Sequence, residues 1–356
     1  MKNRLILSVA AIWLSVSGSG LHAWDQFEYG GGANCCQEES HFFATAQYLL
    51  WSTDYSLPIG FKYVEGASTK ASTTPGVVLT DETLSGSFFQ PRQKWTSGVR
   101  VGIGWEAESI DVRGYWTGYR NEANKTVPTA QSIFISGIIN DLANDSFVGN
   151  STSASASYKL NYNIADLEIG KTFHPSCYIS LRPFAGLRGA WIHQDNLLSF
   201  NGSMEVLPVG AGVVTVDLPQ SASIRHHTAG VGPRLGLETV WGDWHGFSVI
   251  GNFSASILFA EPKTKFEFIT TSASVIGATV DVLTETLQLN DDYWQLIPNF
   301  QLQFGVNWGM DFNCNRNHFN VFATFETNFW WETSTIVVIH RGLGLQGLTT
   351  GISFDF

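Results

Sequence analysis

Arg100, Asp111, Arg113, Asp166, Glu168, Arg182, Arg188, Arg234, Glu238 and Glu326 all fall on the polar parity of segments whose other parity is apolar. Cations and anions are nearly balanced among them. Gathered in a confined space, such residues do one of two things. They form a charged constriction that selects what passes, or they bridge one another into a fill, because unpaired charge in a narrow enclosure is costly. The sequence weighs the two equally. The connection at 174–177 sets Glu168 opposite Arg182, so that pair is expected to bridge neighbouring strands.

Other reactive side chains do not converge. His226, His227, His340 and Asp195 approach one end of the segments, yet no nucleophile accompanies them. There is no Gly-x-Ser-x-Gly, no His-Glu-x-x-His and no P-loop. No catalytic residue, cofactor or metal site is therefore assigned. Cys35, Cys36, Cys177 and Cys314 precede the first segment or sit in short connections, and their spacing matches no common zinc motif. They are disulfide candidates. A bond between adjacent Cys35 and Cys36 is strained, which favours bridges to Cys177 or Cys314, while intermolecular cross-linking to a partner stays open.

The elements that must carry these residues are strands. The segment 95–106 shows it most cleanly: Trp95, Ser97, Val99, Val101, Ile103 and Trp105 on one side, Thr96, Gly98, Arg100, Gly102, Gly104 and Glu106 on the other. Nine further segments alternate in the same way: 41–52, 109–119, 157–173, 178–193, 226–241, 247–259, 293–308, 319–333 and 343–356. Their connections alternate between short (107–108, 174–177, 242–246, 309–318) and mostly long (53–94, 120–156, 194–225, 260–292, 334–342). In an outer-membrane barrel, short turns are periplasmic and long loops extracellular. The expected fold is all-β: a single antiparallel transmembrane β-barrel of about ten strands, 41–356, with both ends periplasmic. A hairpin of 265–268 with 279–287 either extends the barrel above the membrane or raises the count to twelve.

The chain ends agree. Lys2 and Arg4 precede an apolar run, 5–16, which is too short to span a bilayer and suits a signal peptide. Cleavage after Leu21-His22-Ala23 gives a signal peptide of 1–23 and a periplasmic tail of 24–40. At the other end Leu348, Thr350, Ile352, Phe354 and Phe356 share one face, and the strand stops on an aromatic carboxylate. Phe354 and Phe356 are the expected signal for the barrel assembly machinery. The chain is 44% hydrophobic but only 14% charged, well below the roughly 25% of soluble domains. A barrel with a lipid-facing parity gives that mixture. The net charge of −11 argues against a nucleic-acid partner.

Three stretches resemble the Legionella-type major outer membrane protein family, also found among chlamydia-related bacteria. They are Leu181-Arg-Pro-Phe-Ala-Gly-Leu-Arg-Gly-Ala-Trp-Ile-His-Gln194, Gly230-Val-Gly-Pro-Arg-Leu-Gly-Leu-Glu-Thr-Val-Trp241 and Gly347–Phe356. Tyr48-Leu-Leu-Trp51 and 162–170 match less closely. The resemblance implies a pore-forming outer membrane protein with surface adhesin roles, and supports Arg182, Arg188 and Arg234 as lumen residues. The expected function is porin-like: passive ion and small hydrophilic solute diffusion across the bacterial outer membrane, in contact with its lipid. A closed structural barrel or surface adhesin is the alternative, and an outer-membrane hydrolase a more distant one. Homo-oligomerisation stays open.

Overall fold

A computed structural model describes residues 40–54, 60–64, 86–89, 94–107, 110–128, 133–136, 150–176, 178–206, 214–244, 246–276, 279–312, 317–336 and 339–356. The expected signal peptide and tail, with all four cysteines, lie outside the described residues.

All regular structure in the described residues is extended. In chain order the strands are β1 (His41–Asp54), β2 (Gly60–Val64), β3 (Gly86–Phe89), β4 (Thr96–Ala107), β5 (Ile110–Pro128), β6 (Ile133–Ser136), β7 (Asn150–Lys171) and β8 (Phe173–Ser176). They continue with β9 (Ile179–Val206), β10 (Val214–Trp244), β11 (Phe247–Ile276), β12 (Thr279–Asp292), β13 (Gln295–Phe312), β14 (Asn317–Ile336) and β15 (Ile339–Asp355). Antiparallel pairing runs β1-β4-β5-β7-β9-β10-β11-β13-β14-β15 and returns to β1. This is a closed ring of ten strands, each grown from one of the ten alternating segments. Closure leaves no unpaired edge, the condition for strands to cross a bilayer.

The apolar parity faces outward. Phe42, Tyr48, Val99, Val101, Ile103 and Trp116 are all exposed on the outer wall. The first and last strands meet at the closure. Phe42 N donates to Phe356 O at 2.9 Å and Phe356 N to Phe42 O at 2.8 Å. The Phe356 ring stacks against both Phe42 and Phe354, with centroids 6.4 and 5.9 Å apart.

The long connections are shorter than their sequence suggested. β9, β10 and β11 run 28, 31 and 30 residues, where about ten residues suffice to span a bilayer. Segments 194–225 and 260–292 are therefore mostly strand, and 334–342 narrows to a connection at 337–338. Beyond the lipid the outer parity need not be apolar, so the periodicity fades while backbone pairing continues. The expected hairpin exists: Phe266 pairs with Leu289 and Phe268 with Leu287. Because β12 pairs only with β11 among the described residues, it lengthens the wall and does not enter the ring. A separate small sheet, β3-β2-β6, forms within the long connections.

At the short-turn end Gly242 and Gly246 have φ of 88° and 85°, a region glycine enters without a Cβ penalty. Gly242 N donates to Tyr178 O at 2.7 Å and Gly309 N to Gly246 O at 2.9 Å, tying adjacent turns together.

Candidate functional site

The barrel interior has three levels. At the short-turn end is a cavity of about 290 Å³, lined among others by Thr45, Glu106, Arg113, Asn252, Asn307 and Asp355. Above it lies a layer of charged side chains. Above that, towards the long connections, aromatic and aliphatic side chains mix with buried polar ones such as Asn121, Gln194 and Asn196.

The charged layer contains all ten singled-out residues. Arg100 on β4 meets Glu326 on β14 through two hydrogen bonds, 2.8 and 3.1 Å, although β1 and β15 stand between them. Arg100 also donates to Thr117 at 2.9 Å and Gln47 at 3.1 Å. Arg188 and Asp166 form a second two-pronged pair at 2.6 and 2.8 Å. Planar guanidinium and carboxylate forks match, which is why arginine holds both positions. Arg234 bridges Asp166, at 3.1 Å, and Glu168. Arg182 bridges Asp111, Glu168 and Glu238, the last at 3.1 Å. Arg113 pairs with Asp111 at 2.9 Å and Glu238 at 3.3 Å. Gln301 joins the groups: it accepts from Arg188 at 2.8 Å and donates to Glu326 at 2.8 Å.

The expected Glu168–Arg182 bridge forms, at 3.4 Å, but not between register partners. Glu168 stands opposite Gly186, and Asp166 opposite Arg188. Pairing with β9 continues through β8, Phe173 with Leu181 and Ser176 with Ile179, so the hairpin turns later than 174–177 and Arg182 reaches Glu168 along the strand. The directly opposed pair is Asp166–Arg188.

The two arginine motifs pack on each other. Phe184 of Arg182-Pro-Phe184 is the register partner of Gly236, two residues after Arg234. A Cβ at Gly236 would collide with the Phe184 ring. Both the Arg182 and the Arg234 guanidinium lie 5.2 Å from that ring's centroid, within cation–π range.

The upper level was not anticipated. Leu49, Trp51, Tyr119, Tyr162, Trp330 and Leu345 point inward and are fully buried. Tyr162 sits edge-on to Trp51 and Trp330, at 6.4 and 6.0 Å. Its hydroxyl accepts from Asn328 at 3.0 Å, and Asn299 links Asn328 to Arg188. The aromatic and charged levels are thus one connected body. The signal was present where both parities turn apolar at strand ends, as in Tyr48-Leu-Leu-Trp51 and Phe329-Trp-Trp331. With Leu49 and Trp330 at 0% exposure and Glu326 at 1%, no water-wide passage touches these side chains at mid-height.

The histidines separate. His226 points inward, buried, within 2.8 Å of Thr264 and 2.9 Å of Thr228. His227 points outward and stacks on His193 at 3.9 Å. Asp195 is outward too, and the side chain of His340 lies outside the described residues. The set does not gather around a nucleophile.

A family model described as the Legionella pneumophila major outer membrane protein precursor matches residues 34–356. The chain belongs to this family. It is accordingly a bacterial outer-membrane protein, with its apolar outer wall in contact with membrane lipid. As a member of the Legionella major outer membrane protein family it also aligns, at low similarity, with solved structures. One is the TodX deltaS2S3 mutant monoaromatic hydrocarbon channel: 8% identity, 90% of this chain and 91% of that one, TM-score 0.26. A second is a Pseudomonas aeruginosa FadL homologue, at 9% identity, 90% of each chain and TM-score 0.26. A third is OmpT of Vibrio cholerae, at 8% identity, 91% of this chain, 100% of that one and TM-score 0.14. A search of curated proteins gives no match.

Proposed function

We propose that this barrel is a narrow outer-membrane channel for small hydrophilic solutes, of low selectivity, and that its charged layer is the constriction. The observation that carries this is the balanced layer of Arg–carboxylate pairs directly above a cavity of about 290 Å³ at the short-turn end. Apolar side chains would fill that space at lower desolvation cost, whereas paired charges can exchange partners with one another and with passing solutes. Ten strands lie between the filled eight-stranded barrels and the open sixteen-stranded ones. Conduction then requires rearrangement of Trp51, Tyr162 and Trp330 as well as of the ion pairs.

We place the long connections outside the cell and the short turns in the periplasm. Cys35, Cys36, Cys177 and Cys314 are then periplasmic, where disulfides form, and 1–23 is the export signal. Phe354 and Phe356 present the closing strand to the assembly machinery. A second role, a permanently closed structural barrel, is favoured by the complete burial of Leu49 and Trp330. Planar-bilayer recording separates the two: discrete conductance steps support the channel, and silence from folded protein supports the closed barrel.

A further inference from the structure

The outer wall carries a second, unabsorbed cluster. Arg120, Asn161, His193, His227 and Lys263 are successive register partners on β5, β7, β9, β10 and β11. They form one outward row across five neighbouring strands, spaced about 4.8 Å per strand. The row immediately below is Gly118, Asn163, Trp191, Ala229 and Glu261, where the lipid-facing band begins. The row above is Glu122, Lys159, Asp195, Arg225 and Lys265. The middle row carries two cations and no acid on these five strands, the upper row three cations and two acids, and β12 adds Asp292 opposite Lys263. Near β13 and on β14, the outward positions at this end are instead Trp294, Phe329 and Trp331, as in an ordinary aromatic girdle.

Two of the four acids nearby are already paired. Glu122 pairs with Lys159 at 3.4 Å, and Glu261 lies 3.6 Å from Lys263. Asp195 sits in the upper row between Lys159 and Arg225. Arg120, Arg225 and Lys265 form no ion pair among the described residues. His227 Nδ1 is enclosed without a hydrogen-bond partner, and Lys263 neighbours it in register. Cations packed this closely repel one another unless an anion joins them.

Beside this row the wall is hollowed. A groove of about 350 Å³ is lined by Tyr48, Val99, Trp116, Gly118, Arg120 and Asn161. Gly118 lets the Trp116 ring lie against the wall and form part of the groove floor: a Cβ there would lie 2.7 Å from that ring and push it outward. The floor is apolar and lies within the lipid-facing band. The upper rim carries the Arg120 guanidinium and the Asn161 amide.

We infer that this face is a binding site for a phosphorylated glycolipid of the outer leaflet. Its phosphate sits on the Arg120–Asn161–His193–His227–Lys263 row, and an acyl chain lies in the groove over Gly118 and Trp116. Arginine matches phosphate oxygens with two parallel N–H donors, and each neutral imidazole still supplies one N–H. At the membrane boundary the effective dielectric is below that of water, which strengthens each contact. The outer-leaflet assignment rests on the orientation proposed above. Binding in detergent is independent of that orientation and of conduction, so failure here is distinguishable from failure there.

The test is native mass spectrometry of the folded barrel in a neutral maltoside, titrated with bis-phosphorylated lipid A, with the same lipid dephosphorylated, and with inorganic phosphate. One saturable lipid is expected per barrel. Dephosphorylation, or the double change Arg120→Gln with Lys263→Gln, should weaken binding by about tenfold or more, as losing one or two charge-assisted hydrogen bonds does. Gly118→Leu should weaken the lipid by blocking the groove. Lys171→Gln, removing a charge at the opposite rim, should change nothing, and heat-modifiable gel mobility confirms that every variant is folded. Equal affinity for the dephosphorylated lipid, no effect of the double change, or displacement by equimolar inorganic phosphate would overturn the assignment.

Discussion

Arg100 and Glu326 are joined by two hydrogen bonds across the barrel, over two intervening strands. The pair is a chord, not a rung of the ladder, and it couples the β4 side of the wall to the β14 side. Each partner is also held sideways, Arg100 by Thr117 and Gln47, Glu326 by Gln301 and Thr349.

Breaking this pair from one side leaves a buried charge. Glu326→Gln should therefore cost about 3–5 kcal/mol of stability, whereas the double change Arg100→Met with Glu326→Leu should cost much less. Urea titration of the folded-to-unfolded shift on gels measures both. Equal losses from the single and double changes would mean that the pair's charge is not what matters there.

Arg182, Arg188 and Arg234 separate a constriction from a fill. Replacing each with Ala removes positive charge from a confined passage, so reversal potentials in a salt gradient should move toward cation selectivity. A loss of thermal stability with unaltered selectivity would identify these arginines as bridges alone.

Much of this was legible in the sequence, because a period of two states both the element and its orientation. The parity that put Val101 outside put Arg100 inside, and one choice fixed all ten strands. What escaped it depended on register and on length. Glu168 was matched to Arg182 because 174–177 was read as the turn, whereas pairing with β9 continues through β8 to Ser176, so the tighter Asp166–Arg188 pair went unnoticed. Leu49, Trp51 and Trp330 escaped because a lumen was expected to be polar throughout. Segments 194–225 and 260–292 read as loops because above the membrane Lys265 and Asp195 are as acceptable outward as valine is below.

Gly236 and Phe184 supply a packing test. Gly236→Val places a branched side chain where the Phe184 ring lies, and two guanidiniums rest against that ring. Overpacking of this kind costs about 1–3 kcal/mol. The further change Phe184→Ala should recover part of the loss. No recovery would show that Gly236 is required for another reason.

Closure and orientation depend on the same strand directions. Deleting Phe356 removes the aromatic stack on Phe42 and the last backbone pair, and should lower the yield of assembled barrel in outer-membrane fractions. On intact, reduced cells a membrane-impermeant thiol reagent should label Ser146→Cys in the connection between β6 and β7. It should leave Cys177 and Cys314 unlabelled. Strong surface labelling of Cys177 would invert the barrel.

The most direct measurement is single-channel recording in planar bilayers of wild type, Glu326→Gln and Trp330→Ala. Removing the Trp330 ring empties the aromatic level, and neutralising Glu326 frees Arg100 from the charged one. A channel closed by those two levels should show rare conductance steps in the wild type and a higher open fraction in each variant. Absence of any step in all three folded proteins would contradict a channel and leave a closed structural barrel.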